Sequence, residues 1–214
     1  MTDVLFKIDI PKPPEPPVLW SDNAPRLSAL AAAPASPGDR WTLEPPLTTT
    51  ELADLESQLG LVLPADYRAF LLQAGRGGAG PGHGLFPLSR ASGRWRWTGG
   101  GAADRDSTTL TRPFAHIRAF NPLDTLPTDL PDDDERYFDL LYDPAHTYGL
   151  LYLCDVGCGL REVLVLSGPS RGQMWADYTA ESDGFHPLQN PDGSRMSFTD
   201  WYRTWLTTAE HRSA

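Results

Sequence analysis

The sequence has only two cysteines, Cys154 and Cys158, which is too few to staple a small secreted scaffold and ordinary for a reducing compartment. It lacks an apolar run of membrane-spanning length. Its first residues scatter Asp3, Lys7 and Asp9 among apolar ones, where an export signal needs a basic stretch followed by an apolar one. The expectation is a cytoplasmic protein with no membrane partner. Cations are also scarce: 18 Lys and Arg against 28 Asp and Glu leave a formal net charge of −10. Such a surface repels phosphate and anionic lipid, which argues against direct nucleic-acid binding, and it speeds encounter with a basic protein. The five histidines fall at no metal-binding or catalytic spacing.

What is present divides unevenly. A chain of 214 residues with 40% hydrophobic content supports one core. Residues 1–40 read as an extension. Within them the run Pro11-Lys12-Pro13-Pro14-Glu15-Pro16-Pro17 excludes helix and central strand, because each proline lacks an amide donor and restricts its neighbour. The Ala-, Pro- and Ser-rich stretch from 28 to 38 reads as a second linker, and the compact domain is expected over 41–214, beginning near Trp41.

From Thr48 the signals turn helical. Thr48 and Glu51 have the spacing of a capping box, Leu52, Leu55 and Leu59 recur on one face, and Gly60 supplies a left-handed stop. Pro64 then sits where a first-turn proline belongs, and Tyr67, Phe70, Leu71 and Ala74 line a second helix that ends at Gly75. The run from Arg76 through Gly84 is a glycine-rich loop, and residues 89–112 are a long polar connection. Short β-rich runs follow at Tyr137–Tyr142, Tyr148–Leu153, Arg161–Ser167 and Gln173–Tyr178, the pattern of an antiparallel meander. Ser197 and Asp200 then cap a final helix carrying Phe198, Trp201, Tyr202, Trp205 and Leu206 on one stripe. Helices, strands and a helix in that order describe an α+β fold.

Several patches resemble a known family. Leu47 to Gly60 followed by Leu63-Pro64-Ala65-Asp66-Tyr67-Arg68-Ala69-Phe70-Leu71 looks like the signature of the SUKH superfamily, and so does Gly77-Gly78-Ala79-Gly80-Pro81 leading into Gly84-Leu85-Phe86-Pro87-Leu88. A second set, Cys154 to Gly159, Gly168 to Trp175, and Phe198 to Leu206, is similar to bacterial members. The resemblance spans roughly residues 41–206. One departure is Ser170, where the family usually has an acidic residue in its Gly-Pro-x-Arg-Gly turn. The resemblance implies a largely antiparallel central sheet of about five to six strands, covered by N-terminal helices and a C-terminal helix. No catalytic residue comes with the resemblance, and neither a cofactor nor a metal is expected. For bacterial members it implies an immunity protein that binds and blocks a cognate toxin domain, often a nuclease or deaminase. For fungal relatives it implies a cell-wall assembly regulator, here a scaffold that could recruit a further partner through Pro11–Pro17.

Chemical motifs give way to plainer readings. Gly168-Pro169-Ser170-Arg171-Gly172 has the letters of a nucleophile elbow but lacks the helix that should follow the serine. Cys154, Cys158 and His146 fall short of a zinc site, which usually carries a tighter cysteine pair and a second pair. The loop at 77–84 lacks the Gly-Lys-Ser/Thr of a phosphate cradle. Arg94-Trp95-Arg96-Trp97 reads as a short exposed strand or loop with protein-contacting potential. The acidic run Asp129, Asp132, Asp133, Asp134 and Glu135 suits a basic partner surface. Candidate partner-binding residues are therefore Asp132, Asp133, Asp134, Glu135, Arg76, His83, Trp95 and Trp97, in the strand face and the loops 76–84 and 129–136.

Overall fold

The computed structural model describes residues 20–32, 41–99, 107–126 and 135–213. Five helices, α1 (Asn23–Ala32), α2 (Thr49–Leu59), α3 (Ala65–Gln73), α4 (Glu135–Leu141) and α5 (Phe198–Ser213), accompany six strands among these residues. The strands are β1 (Leu88–Ala91), β2 (Arg94–Trp97), β3 (Leu150–Gly157), β4 (Leu160–Val165), β5 (Met174–Asp177) and β6 (Phe185–Pro187). They form two sheets: a four-stranded antiparallel meander in the order β3-β4-β5-β6, and a separate β1-β2 hairpin. The fold is α+β with antiparallel pairing, and the central sheet is smaller than the five to six strands expected.

The helix ends form where local chemistry demands. Thr48 Oγ1 accepts the Glu51 amide at 3.2 Å while Glu51 Oε2 accepts the Thr48 amide at 2.8 Å, and Gly60 ends α2 at φ 69°. Pro64 is the N-cap of α3, one position before the first turn. Ser197 and Asp200 close a reciprocal pair at the start of α5.

The sheet is covered on both faces, which explains why β3 is buried continuously from Leu150 to Cys154 instead of at alternate positions. On one face α5 reaches Glu162, whose Oε2 accepts the Trp201 indole N–H at 3.0 Å. The opposite face carries Trp175, Asp177 and Phe185, and the segment 107–126 lies there, with Phe114 edge-on to Trp175 at 4.9 Å and Phe120 stacked on Phe185 at 5.0 Å. Behind the first face Trp20, Phe70, Phe198 and Tyr202 form one aromatic cluster, with Trp20 5.1 Å from Phe70 and 5.7 Å from Tyr202.

Four expectations are corrected. The linker over 28–38 is helical as far as Ala32, because Leu27 and Leu30 recur at helical spacing and are buried. The connection over 89–112 contains the β1-β2 hairpin, turning on Ser92 (φ 50°) and Gly93 (φ 78°), the paired positive angles of a two-residue hairpin turn. Tyr137–Tyr142 is not a strand: α4 occupies it, with Glu135 in the favourable first turn and Leu141 as its buried residue. The expected cover of N-terminal helices and a C-terminal helix is incomplete, because α4 and the segment 107–126 lie on the opposite face of the sheet. Across the described residues, no helix is long and apolar enough to cross a membrane.

Candidate protein-interaction surface

Beside the Asp177 face of the sheet, α4 and the chain after it wall a cleft of about 420 Å³ lined by Leu141, Tyr142, Asp143, Arg161, Asp177 and Phe185, among others. Its floor is rigid. Asp177 is 2% exposed, and its carboxylate accepts the Tyr152 hydroxyl at 2.6 Å, the Thr179 hydroxyl at 2.6 Å and the Thr179 amide at 3.1 Å. Donors of its own chain thus compensate the burial. Arg161 stands in register with Asp155 on β3 and Asp177 on β5, its guanidinium 5.9 Å from the centre of the Tyr152 ring and its Nε buried without a hydrogen-bond partner.

Tyr142, which lines the cleft, belongs to an exposed aromatic pair. Phe138 and Tyr142 are 49% and 63% exposed, and their rings stack at 6.4 Å with 9° between planes. They are two of the four exposed large hydrophobic residues among those described, the others being Val62 and Ile117. Glu135, Asp139 and Asp143 are exposed beside them. Below α4, His146 bonds the Leu140 carbonyl at 2.8 Å, and Phe120 stacks on His116 at 3.5 Å. Partial burial and the neighbouring His146 hold the His116 imidazole below its ordinary pKa of 6.5.

The strand order, the glycine loop bridging Leu43, Gly78 and Leu85, and the β3-β4 turn through Cys158 and Gly159 make up the framework on which this surface stands. The SMI1 / KNR4 family (SUKH-1) matches residues 46–191, which covers α2 through β6. The chain belongs to this SUKH family. Comparison with curated proteins and with solved structures found no match. Helices α1 and α5 lie outside the matched span yet pack into the same SUKH core. SUKH membership supports a role of the immunity or SMI1/KNR4 type in general terms, and members generally bind partner proteins without catalysing reactions.

The SUKH framework disposes of the expected residues differently. Trp95 and Trp97 are 3% and 8% exposed: their indoles donate to Asp54 at 2.9 Å and to Tyr67 at 3.0 Å, so on this strand the exposed positions are Arg94 and Arg96. Alternation along a half-buried strand accounts for the correction to an exposed strand. His83 is exposed at the tip of the glycine loop, 3.6 Å from Asp155. Arg76 is half-buried, with its main chain bonded to Glu44 and Leu88. Glu135 opens α4, whereas Asp129, Asp132, Asp133 and Asp134 lie outside the described residues. Among the described residues, no hydrogen bond or ion pair joins Arg76, His83 and Glu135 into one site.

Ser170 is buried, and its hydroxyl donates to the His116 carbonyl at 2.8 Å. It therefore pins the segment 107–126 to the β4-β5 turn. Cys154 is buried beside Glu162, which together push its thiol well above the ordinary value, while Cys158 is exposed on the turn. A thiol so raised is a poor nucleophile and a poor metal ligand. Sequence reasoning missed Phe138 and Tyr142. The signal was present as two interleaved four-residue spacings, Phe138 with Tyr142 and Glu135 with Asp139, which a helix brings side by side.

Proposed function

We propose that this SUKH protein is an immunity protein that neutralises a toxin domain by direct, stoichiometric binding. The observation that carries the reading is the stacked, exposed Phe138–Tyr142 pair, of which Tyr142 lines a polar cleft, on a strongly acidic member of a partner-binding family. Adjacent exposed aromatics rimmed by polar residues are the kind of patch that marks a contact surface, and the negative charge accelerates encounter with a basic partner such as a nuclease. Inhibition by occlusion needs only shape and charge from the binding protein.

Affinity purification of the tagged protein from its native cells, with a high-salt wash and mass spectrometry, tests this. Recovery of one large protein ending in a separable toxic domain supports it; recovery of a kinase or wall-synthesis complex supports a regulatory scaffold instead. That second reading is favoured by the Pro11–Pro17 run. Deleting residues 1–19 separates the two, since a toxin inhibitor keeps its partner and a proline-dependent scaffold loses it. The deletion must stop short of Trp20, which is 1% exposed in the core.

A further inference from the structure

Helix α4 is an unusual use of seven residues. It buries Leu141, while Phe138 stands outward against Tyr142, the next residue, whose amide continues the last turn by donating to the Phe138 carbonyl at 3.0 Å; Tyr137 meets Phe138 edge-on at 5.4 Å. Burying a Phe side chain contributes about 1.5–3 kcal/mol, which α4 largely forgoes. A helix this short is also marginal by itself.

The helix charges nearest the rings are negative, and the cation Arg161 lies in the cleft lining beyond Tyr142. With about 3.6 residues per turn, the exposed positions run around the helix as Phe138, Tyr142, Glu135, Asp139 and then Arg136. The aromatic stripe therefore adjoins two carboxylates directly, and the helix's own cation lies beyond them. Asp143 extends the negative edge at the rim of the cleft, where one of its oxygens accepts the Ala145 amide at 2.8 Å.

We infer that this face of α4 is the partner contact and that it takes an arginine-bearing basic protein surface, a guanidinium lying on the Phe138–Tyr142 rings while it pairs with Glu135 or Asp139. The inference deepens the partner-binding reading above and rests on it. The chemistry selects arginine because its planar fork can stack and pair at once, whereas lysine offers a hydrated point charge. Carboxylates at the same place repel phosphate, which removes nucleic acid as the occupant.

Titration of isotope-labelled protein with nona-arginine and with nona-lysine, followed by amide shifts, tests the face itself. The arginine peptide should shift residues 135–143 most and bind about three- to fivefold more tightly than the lysine peptide, the scale of one exposed cation–π contact. The double variant Phe138→Ser/Tyr142→Ser should lose that preference, and Glu135→Gln/Asp139→Asn should weaken both peptides with the rings intact. Unfolding midpoints of both variants, expected to stay near wild type for exposed sites, guard against misfolding. No binding, equal affinity for the two peptides, largest shifts elsewhere, or concentration-dependent dimerisation through these residues would each overturn the inference. Failure here leaves the immunity reading to the affinity purification, so the two fall separately.

Discussion

The side-chain amide of Gln58 pairs with the main chain of Trp95 as a strand would. Gln58 Oε1 accepts the Trp95 amide at 2.7 Å, and Gln58 Nε2 donates to the Trp95 carbonyl at 2.8 Å. One residue of α2 thereby satisfies both main-chain groups of the hairpin edge, and Asp54 receives the Trp95 indole on the same side. With the Trp97 indole on Tyr67 and Arg90 paired to Asp54 at 3.1 Å, these bonds hold the β1-β2 hairpin to the helices.

Gln58→Ala should release that edge. It leaves a partly buried donor and acceptor without partners, so the expected loss is about 1–3 kcal/mol in chemical denaturation. Fluorescence of Trp95 should shift to the red before global unfolding. A stability within experimental error of wild type would show that water replaces the amide without cost.

The glycine loop makes a sharper case. A Cβ on Gly82 would stand 2.2 Å from the Asp155 carbonyl oxygen at φ +57°, whereas Gly93 at φ +78° has nothing within 4 Å. Gly93→Ala should therefore cost only about 1–2 kcal/mol, the left-handed strain alone. Gly82→Ala must move the β3 main chain as well and should lower the unfolding midpoint further. Equal midpoints for the two variants would contradict the packed loop.

Protonation acts through His116. Its folded pKa lies below the unfolded value, so the unfolded chain binds the proton more readily, and the associated stability is present above about pH 6.5 and lost as pH falls through the folded value. His116→Phe retains the stack on Phe120 and removes the titration. The wild type should therefore lose midpoint relative to this variant between about pH 7.5 and 5.5. A parallel pair of curves would exclude His116 as the titrating group.

Charge on the acidic run is testable once the partner is in hand. Reversing Asp132, Asp133 and Asp134 to Lys together should slow association about tenfold at low salt and flatten its salt dependence, because long-range attraction mainly sets the on-rate. Unchanged kinetics would remove this run from the encounter.

Much of the framework was legible because it rests on local chemistry. Thr48 with Glu51, Gly60, and Ser197 with Asp200 are capping signals that need only their neighbours, and each formed as written. Strands β3, β4 and β5 were readable as short β-rich runs separated by turns. Long-range packing hid the rest. Asn23–Ala32 looks like linker until Leu27 and Leu30 meet the core, and Ser89, Arg90 and Ala91 carry no β signal, so their strand depends on the Ser92-Gly93 turn and on Gln58. Tyr137–Tyr142 has the composition of a strand, and only burial of Leu141 with Phe138 and Tyr142 left outside reveals the helical period. The candidate surface escaped with it: Glu135 was legible as part of an acidic run, and its aromatic companions were not. The tryptophans Trp95 and Trp97 had the residue type of a contact and the burial of a core.

The most direct test of the account is growth of cells that express the toxic domain recovered with this protein, alone and together with it. Toxicity alone, with full rescue at equal expression, loss of rescue for Phe138→Ser/Tyr142→Ser and an inactive 1:1 complex in solution, is the predicted result. Rescue that requires far less than one copy per toxin would contradict stoichiometric neutralisation, and absence of rescue would contradict the immunity function itself.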